Sequence, residues 1–438
     1  MTKPSHIRHM PLRHFGAMSE EAFAAEISDR DADRAPPSRI RVAVVTETYP
    51  PEINGVARTV GLTVDWLLAR GHTVELVRPR QRREPVRAPH PGLHETLTLG
   101  AVVPGWQVQL GFAPPGRLAA RWRLARPDLV HVVTEGPLGW AAVSAAGALG
   151  IPLSSDFHTN FHVYSGHYGF PWMRGAVAGY LRRLHNRTAC TLVPTEQLKS
   201  ELDHLGIERL RIAGRGVDPD LFNPARRSAG LRRQWNCQGD ELVVISVGRL
   251  APEKGLGLFA SAARSMQAID PTIRVVVVGE GPRRASLERH NPGFHFVGAR
   301  VDEDLAAHYA SADVFLFPST TETFGNVVLE AMASGLAVVA YDDAAARQHI
   351  VHAVSGLLAP RGNSHLFTHL AALLAHDPTL RLALGREARR VSKELPWERK
   401  FPELEAALLE TASHPAAGQD TLVEAASGSD YRLKRSLK

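Results

Sequence analysis

The stretch Phe317-Pro-Ser-Thr-Thr-Glu-Thr-Phe-Gly-Asn-Val-Val-Leu-Glu-Ala-Met-Ala-Ser-Gly335 predicts the end of a buried strand, then a loop and a helix. Glu322 lies in the predicted loop, and Glu330 lies on the predicted helix eight positions later. Because two helical turns take about seven residues, we expect both carboxylates to line one cleft. An ordinary strand-loop-helix with two solvated acids is the alternative that this pattern leaves open.

The predicted helix begins between the two acids, at Thr323, Phe324, Gly325 and Asn326. The backbone N–H groups at a helix start have no partner within the helix, and the positive end of the helix dipole lies there. Such an end binds phosphate readily. A phosphate site flanked by two carboxylates suits a nucleotide-sugar, because one acid can bind the ribose hydroxyls while the other faces the sugar.

These residues also resemble a known family. The segment 322–330, Glu-Thr-Phe-Gly-Asn-Val-Val-Leu-Glu, resembles the Glu-x7-Glu signature of glycosyltransferase family 4, whose members are retaining enzymes of the GT-B fold. The small residues Ala-Met-Ala-Ser-Gly that follow are the helix end that the family also shows. The resemblance covers residues 40–400 and implies an α/β fold of the GT-B type, with two Rossmann-like domains facing each other across a cleft.

The composition is that of a globular protein with two domains. At 438 residues the chain is too long for one compact core, and its apolar content of 44% and charged content of 22% are ordinary. The two cysteines, Cys190 and Cys237, form no disulfide framework and fit a reducing cytosol. Residues 1–38 lack the apolar core of a signal peptide. We therefore expect a cytoplasmic protein.

Apolar runs alternate with helical patterns, as in parallel sheets that are covered by helices on both faces. The strand patterns cover residues 40–45, 73–77, 129–133 and 192–194 in the first half, and residues 242–247, 273–278, 294–297, 314–317 and 337–340 in the second. With the roles that the resemblance implies, the expected division is a disordered leader at 1–38, an acceptor-binding domain at 39–215, a linker at 216–240, a donor-binding domain at 241–395, a closing helix at 396–411 that returns to the first domain, and a polar tail at 412–438.

The second domain opens with Gly248-Arg-Leu-Ala-Pro-Glu-Lys-Gly255, a tight turn that carries two cations. Arg249 and Lys254 follow the carboxyl end of a predicted strand, where α/β proteins bind their ligands. A guanidinium fork and an ammonium group together can neutralise a departing diphosphate in place of a divalent metal. Two solvated surface cations are the alternative, but the arrangement also matches the donor-phosphate motif of the family.

The first domain carries a glycine turn after its first strand, within Val45-Thr-Glu-Thr-Tyr-Pro-Pro-Glu-Ile-Asn-Gly-Val56. Asn54 and Gly55 predict a turn before a helix that begins near Ala57. In the family a glycine-rich loop at this place lets the backbone approach the donor diphosphate. This chain has Asn54 where many relatives have a second glycine, and the turn does not fit the dinucleotide pattern Gly-x-Gly-x-x-Gly.

The segment Ser155-Asp-Phe-His-Thr-Asn-Phe-His-Val-Tyr-Ser-Gly-His-Tyr-Gly169 is dense in groups that bind sugar hydroxyls. The candidate acceptor-binding residues are Asn54, Asn160, Tyr164 and Tyr168. His158 corresponds to the active-site histidine of the family, which lies near the transferred sugar. His158 and His162 are four positions apart, but no third ligand has a suitable spacing, so we predict no metal site and no cofactor.

The resemblance implies a role for each candidate. A nucleoside diphosphate sugar is the donor and therefore a substrate, and the configuration at its anomeric carbon is retained. The expected donor-binding residues are Gly55, Arg249, Lys254, Phe324, Gly325, Asn326 and Glu330. The expected catalytic residues are His158, Arg249, Lys254 and Glu322. Glu330 would hold ribose, while Glu322 and His158 would contact the sugar.

The choice of donor and acceptor is open at this point. Residues 46–56 and 157–170 resemble bacterial GDP-mannose-dependent mannosyltransferases and glycolipid synthases. A UDP-sugar donor, a soluble acceptor or a nucleotide-sugar epimerase of the same fold are the alternatives. A nucleic-acid partner is not expected, because the cations scatter over both domains and no recognition module is present in the sequence.

Basic residues beside apolar ones in the first half favour peripheral contact with an anionic membrane. They lie at 78–87, at 171–183, and around Trp122, at Arg117, Arg121, Arg123 and Arg126. We therefore expect a lipid acceptor and a position at the inner face of the cell membrane. The alternative is that these helices cover the sheet while their arginines are solvated.

Overall fold

The computed structural model describes residues 39–81, 89–103, 108–158 and 174–413. Three expected acceptor-binding residues, Asn160, Tyr164 and Tyr168, lie outside these ranges. The expected leader and most of the expected polar tail also lie outside them, as do residues 82–87 and 171–173 of the two basic segments. The described chain forms two parallel sheets with helices packed on both faces of each. This confirms the expected α/β fold with two Rossmann-like domains.

The first sheet has eight strands in the order β4-β3-β2-β1-β5-β6-β7-β8, and all neighbours are parallel except β3 and β4. Its strands are β1 Arg41–Val45, β2 Thr73–Pro79, β3 Leu93–Val103, β4 Val108–Phe112, β5 Leu129–Val132, β6 Leu153–Asp156, β7 Cys190–Val193 and β8 Leu210–Ile212. The helices of this half are α1 Gly55–Ala69, α2 Pro115–Leu124, α3 Pro137–Ala148, α4 Arg174–His185 and α5 Glu196–His204. The central strand β1 is apolar and completely buried from Val42 to Val45, as is typical of a parallel strand whose two faces are covered by helices.

The second sheet has six parallel strands in the order β11-β10-β9-β12-β13-β14. Its strands are β9 Val243–Val247, β10 Arg274–Val278, β11 His295–Gly298, β12 Val314–Phe317, β13 Ala337–Tyr341 and β14 Leu357–Ala359. The remaining helices are α6 Ala229–Gln234, α7 Leu256–Ile269, α8 Arg284–His290, α9 Asp302–Ala310, α10 Asn326–Ala333, α11 Ala344–His349, α12 Ser364–His376, α13 Pro378–Ser392 and α14 Trp397–Ser413. Part of the expected linker packs into this domain, since Phe222 and Trp235 lie in its core.

The last helix, α14, returns to the first domain and packs there through aromatic side chains. Phe401 stacks on Trp66 of α1 with 5.4 Å between ring centroids, and Trp397 stacks on Phe401 at 5.2 Å. Glu405 accepts a hydrogen bond of 2.9 Å from the Trp66 indole N–H. The chain passes from the second domain back to the first just before this helix, and the helix attaches that connection to the core of the first domain.

The structure adds one feature that was not predicted and corrects one expectation. No strand was predicted between residues 77 and 115, and β3 and β4 form an antiparallel hairpin there. Leu99, Val102 and Phe112 are 77%, 51% and 41% exposed, so the hairpin lacks the one-sided burial that produces an alternating pattern. Trp122 was expected beside the membrane, but its side chain lies fully inside the core because the apolar face of α2 packs on the sheet. Among the helices of the described residues, none combines the length and the apolar character that a membrane span requires.

Candidate functional site

The candidate site lies where loops follow the carboxyl ends of parallel strands. In the second domain, β9 leads to Arg249 and Lys254, and β12 leads to Glu322. In the first domain, β1 leads to Gly55, and β6 ends two residues before His158. The strand order reverses beside β1 and beside β9, and α/β proteins bind ligands in the crevice at such a reversal.

Lys254 and Glu322 are brought together although they lie on different loops. Nζ of Lys254 lies 2.5 Å from Oε1 of Glu322, and both side chains are largely buried. Burial alone would raise the pKa of Glu322, but the charge and hydrogen bond of Lys254, together with Ser319 and the charge of Arg249, hold this pKa below its usual value. Glu322 is therefore a carboxylate at neutral pH, and it lies beside the amino group of Lys254. The catalytic role of each residue stays a prediction.

Arg249 forms an ion pair with Glu253, an acid that the sequence did not single out. The Glu253 side chain is completely buried, so the pair fixes the base of the loop that carries Lys254. The two residues are four positions apart across a short helical turn, and this spacing is the signal that could have revealed the pair. Arg249 also contributes to the low pKa of Glu322, which places its charge near the same group.

Gly255 allows the loops after β9 and β12 to approach each other closely. It has a φ of 65°, in the left-handed region that favours glycine. A Cβ atom at this position would lie 2.3 Å from the carbonyl oxygen of Pro318. A glycine after Lys254 is therefore required for the contact between Lys254 and Glu322.

The start of α10 faces the start of α1 across the two domains. Gly325 precedes α10 with a φ of 90°, and no side chain caps this end. Nδ2 of Asn326 lies 3.4 Å from Oγ1 of Thr59 on α1, and a Cβ atom on Gly55 would lie 3.7 Å from the same Nδ2. Two helix N-termini, each with a positive dipole end, thus converge at the expected diphosphate position. The Phe324 side chain instead packs into the core of the second domain.

Asn54 caps helix α1. Its Oδ1 accepts a hydrogen bond of 2.8 Å from the backbone N–H of Ala57, and its Nδ2 donates one of 2.8 Å to Oγ1 of Thr48. The helix consequently begins at Gly55 rather than near Ala57. Both functional groups of this side chain are used within the first domain, so the geometry gives Asn54 a capping role and no support for acceptor binding.

Glu330 is held from both domains. Its Oε1 accepts a hydrogen bond of 2.9 Å from Nη1 of Arg58 on α1, and its Oε2 accepts one of 3.1 Å from the Tyr309 hydroxyl. Burial raises the pKa of Glu330, while Arg58 and Tyr309 oppose the shift. Sequence reasoning missed both partners, because Arg58 lies 272 positions away and neither residue belongs to a local motif with Glu330.

His158 is fixed by residues that the sequence analysis did not identify. Its Nε2 lies 2.8 Å from Oδ2 of Asp156, and the guanidinium of Arg215 lies 3.4 Å from the ring. The Thr323 hydroxyl, on the loop before α10, donates a hydrogen bond of 2.9 Å to the His158 carbonyl. The expected active-site histidine is thereby joined to the loop that contains Glu322. The Asp-x-His spacing was the signal for Asp156.

The protonation state of His158 follows from these neighbours. Burial lowers the pKa of His158, and the nearby charge of Arg215 lowers it further, against the opposing effect of Asp156. Burial would raise the pKa of Asp156, but His131 and His158 hold it well below its usual value. His158 is consequently a neutral imidazole at neutral pH, whose Nε2–H donates to the Asp156 carboxylate.

A metal centre was not expected, and that expectation stays a prediction. Among the described residues, no three histidine, cysteine, aspartate or glutamate side chains form a group that could hold a metal ion. The sequence contains several Asp-x-Asp pairs, and the one at 302–304 lies in the first turn of α9, where Asp304 pairs with Arg300 and His308. The others lie within 29–33, outside the described chain, and at 218–220.

Comparison with known proteins identifies the family. Residues 53–221 match the model for Glycosyltransferase Family 4, and residues 229–391 match the model for glycosyl transferases group 1. A GDP-mannose-dependent alpha-mannosyltransferase of Mycobacterium tuberculosis is 34% identical over 371 residues, which cover 81% of this chain and 95% of that protein. The chain belongs to glycosyltransferase family 4. The expected family is thereby confirmed, and the protein is a glycosyltransferase.

Two further comparisons extend this result. The alpha-monoglucosyldiacylglycerol synthase of Acholeplasma laidlawii is 26% identical over 330 residues, covering 69% of this family 4 chain and 81% of that enzyme. Among solved structures, sucrose-phosphate synthase from Thermosynechococcus elongatus superposes with a TM-score of 0.70 over 84% of this chain and 98% of its own, at 21% identity. The latter likeness concerns the fold alone and confirms the GT-B architecture.

Proposed function

We propose that this glycosyltransferase moves a hexose from GDP-mannose to a hydroxyl group of a lipid or glycolipid, with retention at the anomeric carbon. The observation that carries the proposal is the convergence of Lys254, Glu322 and Glu330 with two helix N-termini at one crevice between the domains. GDP-mannose is chosen because the relative that matches the chain over 81% of its length is named for that donor. A lipid acceptor is chosen because of the name of the glucosyldiacylglycerol relative.

In the proposed reaction, the bond between the anomeric carbon and the diphosphate oxygen breaks. The acceptor oxygen bonds to the same face of that carbon, and its proton passes to an oxygen of the leaving phosphate. Lys254, Arg249 and the N–H groups at the start of α10 stabilise the charge that develops on the diphosphate. Fixed cations of this kind act without a divalent metal, so we expect transfer to persist in EDTA.

The remaining polar groups bind the two sugars of the donor. Glu330 accepts hydrogen bonds from the ribose hydroxyls, and Glu322 accepts them from the transferred hexose. The neutral imidazole of His158 faces the hexose and the incoming acceptor. Its orientation is fixed by Asp156, whose carboxylate accepts a hydrogen bond from Nε2–H, so that Nδ1 is the unprotonated ring nitrogen.

Thermal unfolding with a panel of nucleotide-sugars tests the donor assignment. A ligand that binds only the native state raises its stability, so we expect GDP-mannose to raise the unfolding temperature more than UDP-glucose, UDP-glucuronate or UDP-sulfoquinovose. Stabilisation by a UDP-sugar alone would replace GDP-mannose with that donor. Product analysis covers the epimerase alternative. Conversion of the sugar of a nucleotide-sugar into its epimer, without transfer to an acceptor, would support that alternative.

We further propose that the first domain meets an anionic membrane surface through the β3–β4 hairpin and the exposed arginines of α2. Leu99, Val102 and Phe112 expose apolar surface on the hairpin, and Arg117 and Arg123 are exposed on α2. Apolar side chains together with cations suit peripheral binding to anionic lipid. The described part of the basic segment contributes less, since Arg78 is buried and paired with Glu95.

Co-sedimentation with vesicles tests this surface. Binding should require anionic lipid and should weaken as the salt concentration rises, because salt screens the attraction between the arginines and the lipid head groups. Replacing Leu99 with Ser should reduce binding, while the same change at exposed Leu382 on α13 serves as the control. Equal binding of both variants, or no binding at low salt, would contradict the surface.

A further inference from the structure

Arg58 of the first domain docks into a socket that is formed entirely by the second domain. Its guanidinium donates a hydrogen bond of 2.9 Å to Oε1 of Glu330 and lies 5.0 Å from the ring centroid of Phe222. Tyr309 completes the socket, because its hydroxyl bonds Oε2 of Glu330 while its ring packs edge-on against Phe222 at 5.7 Å. We call Phe222, Tyr309 and Glu330 the arginine socket.

The socket leaves Glu330 able to bind a further ligand. Each carboxylate oxygen can accept two hydrogen bonds, and among the described residues one is used on each, from Arg58 and from Tyr309. One acceptor position therefore remains on each oxygen, and together these two positions can accept hydrogen bonds from two neighbouring hydroxyls of a ribose. Arg58 and Tyr309 thus fix the orientation of the carboxylate while it can still accept hydrogen bonds from a ligand.

We propose that Arg58 is a positioning residue for nucleotide binding, which holds Glu330 in the orientation that accepts the ribose hydroxyls when the two domains are closed. This inference rests on the proposed role of Glu330. It makes the nucleotide site depend on both domains, because the group that orients the ribose acid is supplied by the acceptor domain. Closure of the domains and affinity for the ribose are consequently coupled.

A simpler role for Arg58 is to join the domains without any effect on the ribose. The chain contains another side-chain contact between the domains that serves as a control. Gln197 on α5 of the first domain donates a hydrogen bond of 2.6 Å to Oδ1 of Asp343 in the second. Gln197 has no contact with Glu330 among the described residues, so Q197A removes an inter-domain contact and leaves the arginine socket intact.

The two roles are separated by comparing how the wild type and its variants bind a nucleotide with and without the ribose hydroxyls. The affinities of GDP and of 2′,3′-dideoxy-GDP are measured by calorimetry for the wild type, R58A, E330Q and Q197A, with UDP and its dideoxy form in parallel. Circular dichroism and the unfolding midpoint verify that each variant is folded. R58K serves as a second variant, because it keeps the charge and loses the guanidinium fork.

We expect the wild type to bind GDP about tenfold more tightly than dideoxy-GDP, as suits hydrogen bonds to a charged group. R58A and E330Q should lose this discrimination, with GDP weakened about tenfold and dideoxy-GDP nearly unchanged. R58K should lie between R58A and the wild type. Q197A should keep the full discrimination.

Each contrary result has a distinct meaning. A wild type that does not discriminate between either nucleotide and its dideoxy form would refute the ribose role of Glu330 and this inference with it. Full discrimination in the wild type and equally full discrimination in R58A would refute the inference and leave the proposed function standing. Tighter binding of GDP by R58A would show that Arg58 competes with ribose, which also overturns the inference.

Discussion

Every expected cation of the site is paired with an acid in this structure. Lys254 pairs with Glu322, and Arg249 pairs with the buried Glu253. Arrangements of this kind keep charged groups oriented before the substrate arrives, so little reorganisation is needed when charge develops on a leaving group. At the scale of single residues, the proposed function therefore depends on each ion pair as a unit rather than on isolated side chains.

The first prediction concerns Lys254. Because its ammonium would act on charge that develops in the transition state, K254A should lower kcat about a hundredfold and change the donor KM much less. Steady-state kinetics with GDP-mannose measure both quantities. K199A is the matched control, since Lys199 lies on α5 with 42% of its side chain exposed. Activity of folded K254A within a few-fold of the wild type would contradict the role.

The sequence revealed those site residues that lie within one local motif. Lys254 and Glu322 were both expected at the site because each belongs to a loop with a recognisable spacing. Arg58 and Arg215 were not found, because their partners Glu330 and His158 lie on distant segments and depend on how the domains are placed. Residue pairing of this kind requires the tertiary structure.

At the scale of elements, the loops after parallel strands were predictable and the sheet edge was not. Continuous apolar runs identified β9 and β12, since both faces of a central parallel strand are buried. The β3–β4 hairpin at the edge escaped notice because much of its apolar surface is exposed. Elements that position the site are thus the ones with the strongest sequence signal.

Glu47 links three elements and provides a test by pH. Its Oε1, just after β1, accepts backbone hydrogen bonds of 3.1 Å from Leu138 at the start of α3 and from Gly111 in β4. Burial raises the pKa of Glu47 from 4.5 to about 7, against these hydrogen bonds. Folding therefore favours the protonated acid, so this residue destabilises the native state progressively as the pH rises from 4.5 to 7.

We expect E47Q to remove this dependence. Relative to E47Q, the wild type should lose about 3 kcal/mol of unfolding free energy between pH 4.5 and pH 8, with no further change above that range. Denaturant unfolding at several pH values measures the difference. E196Q is the control, because the Glu196 side chain is 79% exposed. Parallel pH profiles for E47Q and the wild type would contradict the raised pKa.

At the scale of the whole molecule, the two domains are joined by two chain crossings that touch each other. Val217 and Pro396 form an isolated parallel bridge, and the backbone N–H of Val217 donates a hydrogen bond of 2.9 Å to the Leu395 carbonyl. A Cβ atom on Gly216 would lie 2.7 Å from the backbone N and Cα of Trp397. Glycine at 216 therefore permits the close contact of the crossings.

G216A tests the importance of this contact. The added methyl group must push the crossings apart, so we expect a loss of about 1–3 kcal/mol in unfolding free energy, as for other overpacked sites. A lower kcat should accompany it, since the crossings set the approach of the domains. G239A is the control, because no atom lies within 4 Å of a Cβ there. Equal stability of G216A and G239A would contradict the account.

The most direct test of the central claim is the anomeric configuration of the first product. The intact chain is incubated with GDP-mannose labelled with carbon-13 at the anomeric position and a membrane lipid extract, and the product is followed by NMR from the earliest time points. Retaining transfer requires an α-mannoside, formed as GDP is released. The account also predicts that the mannose is on a lipid hydroxyl and that EDTA does not affect the transfer. A β-mannoside, or GDP release with only free mannose, would contradict the account.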